Sequence, residues 1–367
     1  MTASVLGIQT LNRALLQRQL LIERADLNTE QAVAHLVGLQ AQAVNPPYIG
    51  LWTRLNGFRL DDLESALLDR RLVRIALQRS TIHLVTADDA RKLRAVLAES
   101  LARTVKGQFG RAVEGVDLGE LVSRASELVT AEPLTFADLG RSLAGRWPQN
   151  DPNALAQTAR NLLPLVQIPP RGLWSNSSAA THTTLTNWLG RDLDPDAEAD
   201  EYVLRYLDAF GPASVLDMQK WSGLTRLKPV FARLGDALRI YQDDEGKELY
   251  DLNQRTLPAA DLPVPVRFLP EFDNILLSHS HRRRIMAEKY KPLVFTSNGI
   301  IRSTFLIDGF VRGRWRVDRT RAGATLVVEP FEKLSSNGRS ELAEEGERLL
   351  SFVAADAAQR DLRFEPV

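Results

Sequence analysis

The chain has 367 residues, 44% hydrophobic and 25% charged, enough for two or three hydrophobic cores and too apolar for a disordered protein. It contains no cysteine, which excludes disulfides, iron–sulfur clusters, cysteine-ligated zinc and thiol nucleophiles, and with them zinc-dependent base deaminases and cluster-bearing glycosylases. Formal net charge is zero, so a nucleic-acid partner has to meet cations gathered locally; no apolar run approaches the ~20 residues that cross a bilayer, and the expected location is cytoplasmic, associated with the nucleoid.

Residues 11–23 carry Leu15, Leu16, Leu20 and Leu21 among Arg and Gln, the pattern of an amphipathic helix. Asn28 with Gln31 three residues on makes a capping box, and Val33, Leu36, Val37 and Leu39 supply the apolar positions of a second helix running to Gln40. The run Asn45-Pro46-Pro47 is expected to stop it. A third helix over 61–70 leads into 73–86, where β-branched residues flank Arg79-Ser80 as two short strands around a turn. Three helices followed by a hairpin is the order of a winged helix.

That order recurs twice, with little sequence in common between the copies. Helices over 118–130, 135–143 and 152–163 precede strand-like residues at 165–184. After an acidic linker at 192–200, helices over 201–210, 215–222 and 225–234 precede 239–252, where Asp243-Asp244-Glu245-Gly246 forms a hairpin turn. Beyond Pro263 the pattern changes to strands at 264–269, 293–296, 300–307, 310–317 and 324–328, closed by a helix over 339–358. The expected fold is α+β, mainly α. Winged-helix units occupy 1–115, 116–195 and 196–260, a small β-rich region with a terminal helix occupies 261–367, and together they form a concave DNA-binding channel.

The most unusual local sequence is Leu39-Gln40-Ala41-Gln42. On a helix, residues two apart point roughly 200° from each other, so both glutamines reach one cleft only if the helix ends between them. Taken alone, such a pair reads as surface or capping groups. The segment Val37-Gly38-Leu39-Gln40-Ala41-Gln42, however, resembles the glutamine motif of the AlkZ-type DNA glycosylases. Agreeing with it are Arg79-Ser80-Thr81-Ile82-His83-Leu84-Val85-Thr86, Tyr206-Leu207-Asp208-Ala209-Phe210-Gly211-Pro212-Ala213, Phe268-Leu269-Pro270-Glu271-Phe272-Asp273-Asn274-Ile275-Leu276-Leu277-Ser278-His279, and the stretch from Phe305 to Val311 with Trp315. The resemblance spans nearly the whole chain. It implies winged-helix units, excision of alkylated purines from double-stranded DNA without metal or cofactor, and catalysis at Gln40 and Gln42.

Two positions place the chain within that resemblance. Where the family usually has an Asp-Arg pair, this sequence has His281-Arg282. A related branch carries Asp at the second motif position, so Gln42 implies kinship with the self-resistance branch, whose members unhook crosslinks of azinomycin type.

Carboxamides suit this chemistry. An N7-alkylated purine is already positively charged and leaves without a general acid. The enzyme has only to position water and steady a cationic sugar, and an amide oxygen can accept from the water while its dipole faces the developing charge. The reaction is then that of a monofunctional hydrolase. Asn45, Thr81, His83, Asp273 and His279 are expected to line the site. The five histidines, His35, His83, His182, His279 and His281, lack recognised ligand spacing, so no metal is expected.

Phosphate contacts are expected from Arg282, Arg283, Arg284, Lys289 and Lys291, and from Arg312, Arg314 and Arg316, which share one face of a strand. Three DNA-facing units in one chain suit a monomer wrapping a duplex. The rivals are a winged-helix transcription regulator, for which the sequence offers neither sensor segment nor heptads, and a non-catalytic damage-binding scaffold. Only the glutamine pair separates the scaffold from the enzyme.

Overall fold

The computed structural model describes residues 4–321 and 323–367. The helix Ile8–Arg18 buries Leu11, Leu15 and Leu16, and the latter two join the core that holds Tyr202, Tyr206, Phe210 and Trp221. Arg18 grips Asp251 through two hydrogen bonds of 2.6 and 2.8 Å, and Ser4–Leu6 pairs in parallel with Leu238–Asp243. The N-terminal segment expected to open the first unit is thus built into the third. Periodicity reveals that a helix face is apolar, and nothing in it names the partner.

The second helix forms as Thr29–His35 with the capping box intact, Asn28 accepting from the Gln31 N–H and Gln31 from the Asn28 N–H. It ends before Gln40, because Val37 and Gly38 adopt φ of 54° and 89° and turn the chain into the strand Leu39–Gln40. A Cβ at Gly38 would lie 2.6 Å from Val85 Cγ1, so only glycine lets the chain pass this close to the strand Ile82–Thr86. The proline pair starts a helix, Pro46–Trp52, because its missing N–H falls where helical N–H groups have no partner.

Leu72–Ala76 and Ile82–Thr86 form the expected hairpin around 78–80. Its strand Leu72–Ala76 also pairs with Leu165–Ile168, so the strands of the first and second sets form one six-stranded sheet, in which Leu39–Gln40 is an edge. The hairpin Leu238–Asp243 and Glu248–Leu252 makes a separate sheet with Ser4–Leu6. The C-terminal region is a five-stranded sheet of Arg267–Leu269, Thr304–Ile307, Phe310–Arg319, Gly323–Pro330 and Gln359–Phe364, with the helix Ser336–Val353 packed on it through Leu342, Leu349 and Leu350. Lys291–Val294 is a helical turn where a strand was expected, and Gln359–Phe364 escaped the sequence reading because its charged alternation is that of a solvated edge.

The glutamine-bearing segment and the C-terminal region are joined by a buried ion pair. Arg54 donates to both carboxylate oxygens of Asp273 at 2.9 Å, with neither side chain more than 1% exposed. Asn274 adds a bond to the Gly38 carbonyl at 2.9 Å. Removing one member leaves a buried charge without its counter-ion, a loss of about 3–5 kcal/mol. Arg54→Ala and Asp273→Ala should each lower the free energy of urea unfolding by about that amount, and Arg54→Met with Asp273→Leu should lose less than the two single losses added together; additive losses would show that the two groups do not act as a pair.

Candidate active site

Gln40 pairs across the sheet with His83. Its side-chain oxygen accepts from Arg79 Nη2 at 3.1 Å, and Arg79 Nη1 donates to the Trp221 carbonyl. Gln42 Oε1 accepts from the Ile82 N–H at 3.0 Å. A guanidinium and a backbone N–H can only donate, so both carboxamides must turn their oxygens to these partners. One lone pair on each oxygen is taken, and the NH2 groups form no hydrogen bond among the described residues. Between them, Ala41 donates to the Ile82 carbonyl and accepts from Arg74 Nη2, both at 2.7 Å. The oxygens expected to accept from water, with the amide dipole facing the cationic sugar, are instead anchored on the protein side, and the amide nitrogens are the free ends.

Arg79, expected only as part of the hairpin turn, is a residue of the site. It and Ser80 hold left-handed φ of 54° and 62°. Ser80 is pinned by Asn161 at 2.6 Å and Arg160 at 3.2 Å. Burial pulls the Arg79 guanidinium down to about 10, and it pairs with no carboxylate among the described residues. A non-glycine corner of this kind leaves no mark in hydropathy.

His83 is buried, with Nδ1 3.0 Å from the Thr81 carbonyl. A carbonyl only accepts, so Nδ1 carries the hydrogen and Nε2 presents a lone pair. Thr81 donates its hydroxyl to the Gln78 carbonyl and closes the turn. Asn45 accepts from the Ser175 N–H at 2.9 Å at the start of Pro46–Trp52. Asp273 is occupied by Arg54. His279 lies in another buried polar cluster, bonded to Ser278 and facing Asp217 and Arg284, and does not join the glutamine pair.

Two cavities adjoin this constellation. A narrow pocket of about 10 Å³ is lined by Leu39, Gln40, Pro46, Pro47 and Gly50 on one side and by 270–274 on the other, room for about one water. Pro46, Pro270 and Glu271 also line an open cleft of about 600 Å³ with Asn45, Trp174, Arg302, Trp315 and Arg319. Trp174 and Glu271 were not anticipated as site residues.

The basic residues are placed less simply than their clustering suggests. Arg284 is buried and donates to the Pro212 carbonyl, so it offers no face to a phosphate. Arg283 is held by Asp243, Asp244 and Glu245, and Arg282 lies over the Phe295 ring while donating to the Leu276 carbonyl. Lys289 pairs with Glu332 at 2.5 Å and Lys291 with Glu288 at 2.9 Å. Arg312, Arg314 and Arg316 do share a strand face, yet Arg314 and Arg316 both bind Glu329 of the neighbouring strand, and Arg312 comes within 3.9 Å of Glu332.

A family model described as DNA glycosylase AlkZ-like matches residues 33–352. An interstrand DNA cross-link repair glycosylase of Streptomyces sahachiroi is 24% identical over 334 residues, covering 86% of this chain and 88% of that protein. The solved structure of the Streptomyces sahachiroi DNA glycosylase AlkZ shares the fold, with a TM-score of 0.82 at 21% identity, covering 98% of this chain and 100% of that one.

Burial holds three histidines neutral: His83 is depressed to about 3, with the Arg79 charge adding to the effect, His182 to about 4, and His279 well below its usual value. The unfolded chain protonates these groups near pH 6.5, so below that pH it binds protons that the folded state refuses, and stability falls as pH falls. The limit is about 1.4 kcal/mol per pH unit per histidine. Asp217, which burial pushes up but the Arg284 guanidinium, the Ser280 hydrogen bond and the Lys247 charge hold low on balance, acts only where its unfolded carboxyl titrates, below about pH 4. The urea midpoint should therefore decrease from pH 7 to pH 5, less steeply in His83→Gln, and the His83 imidazole should show no NMR titration between pH 5 and 8. A midpoint indifferent to pH in that window would mean that these rings are protonated in the fold.

Proposed function

The chain belongs to the AlkZ-like family of DNA glycosylases, and from that premise we propose that it hydrolyses the N-glycosidic bond of N7-alkylated purines in double-stranded DNA with water positioned by Gln40 and Gln42. The observation that carries this reading is the anchoring of both carboxamides by donor-only partners, which fixes where their NH2 groups and remaining lone pairs point. Anchored amides hold one orientation, and with their NH2 ends free they act by positioning water and not by facing the cationic sugar with a negative dipole end. The pocket beside Gln40 suits a single water. A water there can accept from an amide N–H while keeping one lone pair for C1′. Neutral His83, with its acceptor Nε2, lines the same face of the sheet.

The leaving group explains why amides suffice. A purine alkylated at N7 departs as a neutral base, so no proton has to reach it in the transition state. A guanine crosslinked through N7 carries the same charge, which makes unhooking a crosslink the same bond cleavage. The repair activity named for the Streptomyces sahachiroi relative supports that extension. No lysine lies near the motif to form a Schiff base, so a monofunctional hydrolase acting as a monomer fits best. The units at 1–115, 116–195 and 196–260 are taken as winged helices lining a channel with 261–367. Its phosphate contacts come from Lys289, Lys291, Arg312, Arg314 and Arg316, helped by Arg302, whose guanidinium bonds only the Leu293 carbonyl among the described residues.

With duplex DNA containing N7-methylguanine, Gln40→Ala and Gln42→Ala should each slow release of the free base by about 10²-fold, the scale of losing one preorganised polar group. DNA affinity should change little, since phosphate contacts lie elsewhere. Release at the parent rate by both variants would make the pair structural and move catalysis to other residues, whereas a parent that releases no base would return the chain to a damage-binding role.

Replacing Arg312, Arg314 and Arg316 together by alanine should flatten the dependence of log affinity on log salt. The change should be smaller than about 0.9 for each arginine, because Glu329 and Glu332 already offset part of their charge. An unaltered slope would remove this face from the DNA interface.

A further inference from the structure

A carboxylate with no assigned role stands where the two cavities meet. Glu271 lines both the water-sized pocket at Gln40 and the open cleft of about 600 Å³. It is half-buried and makes no hydrogen bond or ion pair among the described residues, whereas Asp273, two residues on, is fully occupied by Arg54. Its backbone is firmly placed: it sits between Pro270 and Phe272, which holds a left-handed φ of 58° and donates its N–H to the Ile301 carbonyl at 3.2 Å. Strain of this kind persists only where the surroundings enforce it. A half-buried carboxylate without a donor is unfavourable for folding, and a group kept at such a cost beside a cleft is a candidate for chemistry.

We propose that Glu271 is the proton acceptor for the attacking water, a catalytic residue at the junction of the Gln40 pocket and the open cleft. The inference rests on the glycosylase reading above and adds the step that the glutamines cannot perform, since a carboxamide holds water but does not take its proton. The step balances. The water oxygen bonds to C1′, the C1′–N9 bond breaks with its electron pair going to the positively charged alkylpurine, the base leaves neutral, and the water proton passes to a Glu271 oxygen and then to solvent. The negative charge of Glu271 also opposes the positive charge that develops on the sugar. Burial raises the carboxyl above its ordinary range, which strengthens it as a base.

Glu271→Gln keeps shape and removes the base. In single-turnover release of N7-methylguanine it should be slower by about 10²-fold, with DNA affinity unchanged and Glu271→Asp recovering part of the rate. The parent rate should fall on acidification as Glu271 takes up its proton, and that acidic limb should disappear in Glu271→Gln. Because the folded-state carboxyl is raised, its charge opposes folding above the unfolded pKa, so Glu271→Gln should melt at the same temperature or higher at pH 7, and a purely structural carboxylate would melt lower. Parent-like rates with the acidic limb retained, while Gln40→Ala is inactive, would overturn the assignment of Glu271 and leave the glycosylase intact. A parent protein that releases no base would take both down together.

Discussion

The arrangement of the site depends on one buried ion pair, Arg54 with Asp273. Arg54 follows the helix Pro46–Trp52, whose prolines wall the pocket at Gln40, and Asp273 follows Pro270, Glu271 and Phe272, which wall the other side. A bidentate guanidinium–carboxylate contact fixes distance and orientation together. Asn274 reinforces it by bonding the Gly38 carbonyl one residue before the glutamine strand. Two segments more than 200 residues apart in the chain thereby enclose a space for about one water.

Elsewhere the chain settles its cations with acids drawn from distant segments. Arg18 meets Asp251, Arg24 meets Glu345 and Arg205 meets Asp89, all with at least one partner buried. Zero net charge is therefore mostly internal matching, which keeps isolated charges out of low dielectric. Arg74, Arg79 and Arg94 depart from this pattern, since their partners among the described residues are neutral oxygens; those of Arg79 are the oxygens of Gln40 and Trp221, so a half-buried cation holds an amide in one orientation. The segments carrying Trp221, Asn161 and Arg160 all bear on that corner, so the glutamine motif depends on each of the helical sets.

In the proposed reaction the two kinds of polar group divide the work by charge. Anchored amides position without titrating, so their contribution does not vary with pH. Burial raises the Glu271 carboxyl, while His83 stays neutral and Asp273 is paired with Arg54. A substrate that arrives with a positive leaving group needs no acid to accompany this base.

Local chemistry was legible in the amino-acid sequence. The capping box at Asn28, the amphipathic helices, the hairpin around Arg79 and the alternation of Arg312, Arg314 and Arg316 all follow from residues within a few positions of each other, where backbone geometry decides. So did the glutamine motif, although its setting was misread: a helix to Gln40 was the natural extension of the apolar pattern, and Gly38 against Val85 ends it earlier. What only the tertiary structure decided were pairings across long sequence separations. The first helix chose the third set for its core, the strands of two sets fused into one sheet, Glu329 took charge from Arg314 and Arg316, and Arg284 was drawn inside. Hydropathy and charge along a chain specify that a group must be buried or neutralised, and many partners satisfy that demand equally well. Packing of the whole chain selects one of them.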